Sequence, residues 1–435
     1  MLLSEMNKQQ LENFRDEVKA EYDGYKALGL SLNMARGKPS SEQLDLAMKM
    51  LAAVNSYDAD YKASDGTDCR NYGGLDGIID AKNLFAPMLG VSNDELIICG
   101  NSSLNIMHDM VARCYIFGVD GTQKPWKDCG KIKWLCPVPG YDRHFAITEQ
   151  FGFEMINIPM NADGPDMDMI EKLVAEDESI KGIWCVPMYA NPTGITYSDE
   201  VVRRFAALKP AAKDFRIFWD NAYCIHHLTD TPDKLLNLMA ECKKNGTEDM
   251  VYEFASTSKI TFAGGGVAVM AASVKNVEYV KSLMTIQTIG YDKINQLRHA
   301  KFFGDYEGLM AQMEKHRAII APKFKVVLDA LDSEIKPLGI GKYTKPNGGY
   351  FISFDTIDGC AKRVVSLCKE AGVVLTGAGA TYPYKKDPKD TNIRIAPTLP
   401  PVEELQQAVK VFVCAVKLAS AEKLLEVAAA TALDT

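Results

Sequence analysis

Leu11, Phe14, Val18 and Tyr22 recur at helical spacing within residues 5–28, with Gly24 and Gly29 near the end of the run. That periodicity predicts an amphipathic opening helix. Leu32 to Pro39 reads as an extended segment closed by glycine and proline, and residues 41–54 as a second helix. Residues 61–77 are turn-rich, and a helix follows over about 78–89. Short apolar runs then predict strands near 95–99, 132–136, 154–158, 182–187, 215–219, 250–255 and 267–272. Helical patterns at 103–117, 142–150, 166–176, 198–209 and 232–243 separate most of them. Strands alternating with helices predict an α/β fold whose mostly parallel, seven-stranded central sheet is covered on both faces. Its crossovers should be right-handed, and ligands should bind beyond the carboxyl ends of the strands.

The pattern changes after about residue 275. Residues 275–288 and 291–332 read as long helices, 349–354, 373–375 and 392–395 as short strands, and 401–421 as a final helix. This predicts a smaller α+β domain made of residues 1–44 and 296–435, beside a large domain over 45–295. Residues 428–435 read as a frayed end.

Composition narrows the function classes. The 435 residues are 47% hydrophobic and 24% charged, ordinary globular values. A net charge of -8 argues against general binding to nucleic acid or anionic membranes. No run is long and apolar enough to span a membrane, and Met1-Leu2-Leu3 passes at once into polar residues, unlike a secretory signal. The 11 cysteines are scattered without a C-x-x-C pair, which suggests reduced thiols and a cytoplasmic protein. Asn101-Ser102-Ser103 and Asn245-Gly246-Thr247 match the glycosylation pattern by chance on this reading. His108, His226 and His227 lack metal-ligand spacing, so no metal is expected.

Candidate chemistry gathers at the predicted strand ends. Ser256-Thr257-Ser258-Lys259 follows an apolar strand and precedes a glycine-rich exit. A lysine there sits in low dielectric, which disfavours its charged form and makes the amine a better nucleophile toward aldehydes. Ser102 and Ser103 follow a strand and a glycine at a helix start, where unpaired N–H groups favour phosphate. Tyr141 follows another strand and could stack on a flat ring, with Arg143 and His144 beside it. Asn191 is held extended by Pro192, displaying its amide. Asp220 closes a buried strand, where its carboxylate needs a cationic partner, and Tyr223 lies three residues on. Each fragment also has an ordinary reading as a cap, a turn or packing. One ligand satisfies them together: pyridoxal phosphate. Its aldehyde suits Lys259, its ring nitrogen Asp220, and its phenolic oxygen Asn191 and Tyr223. Its flat face suits Tyr141, and its phosphate Ser102, Ser103, Ser256 and Ser258.

At these residues the sequence resembles the class I aminotransferases of pyridoxal-phosphate fold type I. Asn191-Pro192-Thr193-Gly194, Asp220-x-x-Tyr223, Ser256-x-Ser258-Lys259, Tyr72 and Arg394 match the family in order and spacing, from Leu32 to the final helix. Asn33 to Pro39, Cys69 to Gly74 and Pro139 to His144 look most like the bacterial aspartate aminotransferases of subgroup Ic. The resemblance implies that Lys259 holds the cofactor and shuttles a proton, and that Arg394 clamps the substrate α-carboxylate. It implies that Gly37 lets backbone approach the substrate, and that Tyr72 reaches the phosphate of a neighbouring subunit, so a homodimer is expected. The implied reaction is L-aspartate plus 2-oxoglutarate giving oxaloacetate plus L-glutamate. For the second carboxylate the candidates are Arg36, Arg143 and Lys293, with Arg143 preferred. The family usually carries an arginine shortly after the lysine. Here Gly264-Gly265-Gly266-Val267 stands in that region, and Lys293 of a partner subunit is the expected substitute, against a plain reading as an exposed helix-start lysine. Alternative readings are an aminotransferase for aromatic or aliphatic amino acids, a β-lyase, a cofactor-binding regulator and an inactive scaffold.

Overall fold

The computed structural model describes residues 1–57 and 60–433. Helix α1 (Lys8–Ala27) starts at Asn7, whose side chain accepts from the Gln10 N–H while Gln10 accepts from the Asn7 N–H. Strand β1 (Leu32–Asn33), α2 (Ser41–Asp45) and α3 (Ile79–Leu89) follow. The alternating region runs β2 (Leu96–Ile98), α4 (Ser103–Phe117), β3 (Lys133–Val138), α5 (Asp142–Gln150), β4 (Glu154–Asn161) and β5 (Gly164–Pro165). It continues with α6 (Met167–Glu176), β6 (Ile180–Cys185), α7 (Asp199–Ala206), β7 (Arg216–Asp220), α8 (Leu238–Asn245), β8 (Val251–Ser256) and β9 (Ala268–Ala272). Then come α9 (Val274–Gln287), α10 (Lys293–Phe303), α11 (Tyr306–Ala330), β10 (Gly341–Tyr343) and β11 (Ile352–Thr356). The chain closes with α12 (Ala361–Glu370), β12 (Val373–Val374), β13 (Asn392–Ile395) and α13 (Val402–Leu433).

Among the described residues the large sheet has the order β2-β9-β8-β7-β6-β3-β4-β5. Strands β8, β7, β6, β3 and β4 are parallel, and β9 runs against both β8 and β2. The expected seven strands are all present, and the eighth is the two-residue β5 at the edge. A smaller antiparallel sheet has the order β10-β11-β13, and β1 pairs in parallel with β12. Parallel strands buried on both faces need apolar residues throughout; β6 and β7 are buried at every position. Trp134, Trp184, Phe218 and Phe254 build the core on one face of the sheet. A separate core joins Leu11, Val18 and Tyr22 of α1 to α11, α12 and α13, with the Tyr22 hydroxyl donating to the Leu367 carbonyl at 2.9 Å. No helix among the described residues is long and apolar enough to cross a membrane.

Several boundaries move for local reasons. The helix expected over 291–332 breaks at Gly304, which takes φ +77°, and Asp305 recaps the chain by accepting from the Gly308 N–H at 2.8 Å. The strand expected to reach 187 stops at Cys185, ahead of Pro187. Helix α8 begins only at Leu238, where Asn237 caps it. The helix expected over 41–54 divides into α2 and a 3-10 turn, Met48–Ala52. The end expected to fray from 428 stays helical to Leu433; 434 and 435 lie outside the described residues. Helix α12 and strand β10 were not expected from the pattern.

Gly182 on β6 faces Trp134 on β3, and a Cβ there would overlap the indole ring. Gly24 lies on the exposed side of α1 with open space around it. Gly182→Ala should therefore destabilise by roughly 1–3 kcal/mol through overpacking, whereas Gly24→Ala should stabilise by up to about 1 kcal/mol. Urea midpoints of the two variants check this, and a loss at Gly24 or no loss at Gly182 would count against it.

Candidate active site

The carboxyl ends of β3, β6, β7 and β8 open into one cavity of about 480 Å³. Its wall on the other side comes from residues 35–38, Phe351, Thr376 and Arg394. Ser102, Ser103, Tyr141, Arg143, Asn191, Asp220, Tyr223, Ser256, Ser258, Lys259, Gly37 and Arg394 all line it. Tyr72 and Lys293 lie outside it.

Lys259 sits three residues beyond β8, its Nζ 5.0 Å from the centroid of Tyr223 and 5.7 Å from that of Tyr350. Burial holds its pKa below the usual lysine value, against the pull of the Asp220 carboxylate, and the Arg394 guanidinium adds to the depression. Its backbone is anchored from below. The Tyr350 hydroxyl donates to the Lys259 carbonyl at 3.4 Å and accepts from Gln43 at 2.8 Å. His316 holds the Ile260 carbonyl at 2.8 Å through Nε2, and Gln43 donates to its Nδ1 at 3.1 Å.

Asp220 ends β7 and is buried. Its partner is His144, whose Nε2 donates to Oδ2 at 2.9 Å. The imidazole is stacked on Trp184 at 4.6 Å and meets Tyr141 edge-on at 4.8 Å. The other carboxyl oxygen, Oδ1, is buried with no hydrogen-bond partner among the described residues. Burial pushes the Tyr223 hydroxyl far above the usual phenol range, so it stays a donor.

The serines sit where two strand-end loops meet. Ser102 is the N-cap of α4, yet its side chain makes no capping bond and stays available to the cavity. Ser256 Oγ donates to Ser258 Oγ at 3.1 Å, and Ser258 Oγ to the Asn101 carbonyl at 3.2 Å, tying the loops together. The third hydroxyl of that run, Thr257, points away: its Oγ1 accepts from the Val267 N–H and meets His299 at 3.1 Å.

Arg394 on β13 reaches across from the smaller sheet. Its Nη1 donates to Asp142 Oδ1 at 2.8 Å and to Asn191 Oδ1 at 3.3 Å, and Nη2 to Thr376 Oγ1 at 3.3 Å. The guanidinium lies 4.9 Å from the Phe351 ring centroid. Gly37 has a packing role here: a Cβ would overlap the Phe351 ring. Arg36 and Arg143 are exposed at the rim.

Lys293 is not an exposed helix-start lysine. It is buried, with Nζ donating to the Gly73 carbonyl at 2.6 Å, directly beside Tyr72, which is 83% exposed. The glycine-rich exit is held by Asn295, whose amide donates to the Gly265 and Gly266 carbonyls at 3.0 Å each. Of the histidines read as structural, His108 packs on Phe151, His226 on Tyr223 and Tyr350 behind Lys259, and His227 meets the Tyr189 hydroxyl at 2.9 Å. Sequence reasoning missed the His144–Asp220 pair, Asp142, Thr376 and Phe351. A signal existed for the first: His144 falls one turn after Tyr141 at the start of α5.

The cavity thus combines a nucleophilic amine, a buried acceptor awaiting a donor, hydroxyls at a helix start and a guanidinium fork. The amine has a consequence for stability. Its folded pKa lies below the unfolded value of 10.5, so the unfolded chain binds more protons and stability rises with pH toward that value. Lys259→Met should raise the melting temperature of the ligand-free protein at pH 7, and the gain should shrink as the pH nears 10.5. A lower melting temperature at pH 7 would sink this account of the lysine.

Comparison with known proteins gives a consistent family. The family model described as aspartate amino-transferase matches residues 6–428. An aspartate aminotransferase of Corynebacterium glutamicum is 48% identical over 420 residues, 97% of this chain and 96% of that protein. The crystal structure of an aspartate transaminase from Corynebacterium glutamicum superposes with a TM-score of 0.95 at 47% identity, covering 98% of this chain and 99% of that one. A kynurenine aminotransferase of Pyrococcus horikoshii, solved with PMP, shares the fold at a TM-score of 0.73 and 20% identity, over 89% and 91% of the two chains. From Met6 to the last turns of α13, the chain belongs to the aspartate aminotransferase family and is an aminotransferase.

Proposed function

We propose that the protein uses pyridoxal 5′-phosphate to transfer the amino group of L-aspartate to 2-oxoglutarate, giving oxaloacetate and L-glutamate. The observation that carries the cofactor part is the unpartnered Asp220 Oδ1 in the cavity that also holds Lys259. A buried carboxylate oxygen without a donor is costly, and a protonated ring nitrogen answers it. The 48% identical relative named for aspartate supports the substrate.

When bound, the cofactor supplies an aldehyde carbon and a ring that accepts electrons. Lys259 would hold it through Nζ and would carry a proton to and from the substrate Cα. Asp220, fixed by His144, would keep the ring nitrogen protonated. Tyr223 and Asn191 would hold the phenolic oxygen, and Tyr141 would stack on the ring. Ser102, Ser103, Ser256 and Ser258, with the first N–H groups of α4, receive the phosphate. Arg394 takes the α-carboxylate as a planar fork, and Arg143 at the rim takes the second carboxylate. Tyr72 and the adjoining Lys293 serve a partner's site in a homodimer. Gly290 packs against Gly73, so the exposed Tyr72, Ile286 and Ile289 flank one surface suited to that contact.

Purified protein with added pyridoxal phosphate should turn yellow, and borohydride should fix the label on Lys259. Aspartate should bleach the band faster than kynurenine or cystathionine. A colourless protein would overturn the cofactor assignment, whereas faster reaction with kynurenine would overturn only the substrate. Arg394→Lys should lower kcat/KM for aspartate by about 100-fold, the loss of a bidentate, largely buried pair.

A further inference from the structure

We infer that Asp142 is an internal stand-in for the substrate's α-carboxylate: it occupies the Arg394 clamp in the resting protein and yields to the incoming substrate. The inference rests on the reading of Arg394 as that clamp. Asp142 Oδ1 sits 2.8 Å from Nη1, where a substrate oxygen would otherwise be expected. A guanidinium already matched by a carboxylate has little attraction left for a second one. Substrate binding at Arg394 is therefore an exchange of carboxylates.

The two partners are unequally held, which decides which of them moves. The Arg394 side chain is 7% exposed, and Phe351 and Thr376 fix it in place. The Asp142 side chain is 34% exposed and can return to water. Asp142 is also the first residue of α5, where the unpaired N–H groups of a helix start favour a negative charge after release. Arg36 and Arg143 border the same cavity and add positive charge at the rim. The exchange takes place in the turn that carries Tyr141 and His144, so Asp142 is a positioning residue: it acts through Arg394 and sets how tightly carboxylates are bound.

The test is the affinity of succinate, a dicarboxylate that cannot transaminate, measured by calorimetry on holoenzyme. Asp142→Asn should bind succinate about fivefold more tightly, the scale of a partly exposed ion pair. The KM values for aspartate and 2-oxoglutarate should fall in parallel, and the absorption band of the bound cofactor should not shift. Asp142→Glu keeps the carboxylate and should stay near the parent affinity. Asp142→Ser, also compatible with a helix start, replaces the asparagine variant if that one loads cofactor poorly. Unchanged or weaker succinate binding in fully loaded Asp142→Asn or Asp142→Ser overturns the proposal. Arg394→Lys separates the two ideas: if it leaves succinate binding unaltered, the clamp reading itself falls.

Discussion

Taking a carboxylate out of water at the end of β7 is the constraint that organises this site. A buried carboxylate needs a matching cation and full hydrogen bonding. Asp220 receives a hydrogen bond on one oxygen, from His144, and none on the other among the described residues. The pair depends on the aromatic core beneath it, because Trp184 holds the imidazole flat and Trp134 and Phe218 hold Trp184. A parallel sheet buried on both faces supplies that core, and its strand ends place Asp220, Asn191, Tyr141 and Lys259 around one space. The half-satisfied carboxylate is thus rigid before any ligand arrives, and its remaining acceptor has a fixed position.

The opposite wall is built by relay. Gly37 has no side chain because the Phe351 ring occupies that space, and the same ring lies against the Arg394 guanidinium. Thr376 accepts from Arg394 and donates to the Ala35 carbonyl at 2.6 Å, linking the arginine to the chain that carries Gly37. With Asp142 and Asn191, the arginine's geometry therefore rests on contacts from four separate stretches of sequence.

Much of this was legible in the sequence, for physical reasons that vary by element. The seven expected strands announced themselves because each is a short apolar run between turn residues, and a doubly covered sheet leaves little freedom in that pattern. The candidate residues at strand ends, which line one cavity, followed from topology and a recognised spacing. What escaped was what depends on distant neighbours. Nothing near Asp220 names His144, which lies 76 residues away and meets it across β6. Asp142 looks like an ordinary first-turn acid until β13 brings Arg394 to it. Lys293 reads either as a partner subunit's phosphate cation or as an exposed helix-start lysine, yet the Tyr72 loop folds over it and leaves the Gly73 carbonyl for it to satisfy. Helix α12 carries a short apolar stripe of Ala361, Val364, Leu367 and Cys368 over only ten residues.

The short parallel pairing of β1 with β12 has a bearing on how the protein is made. Leu32 pairs with Val373, and the Ala35–Thr376 bond joins residues 341 positions apart. On a ribosome, the segment that forms this wall must wait, unpaired, until nearly the whole chain has emerged. Contacts of such separation form late because the intervening loop must first be closed. The large sheet can assemble with Lys259 and Asp220 in place while the pocket is still open on that side. Ligand capture by a nascent chain would therefore lag behind formation of the sheet, and ligand bound after release would lock the two ends of the polypeptide together.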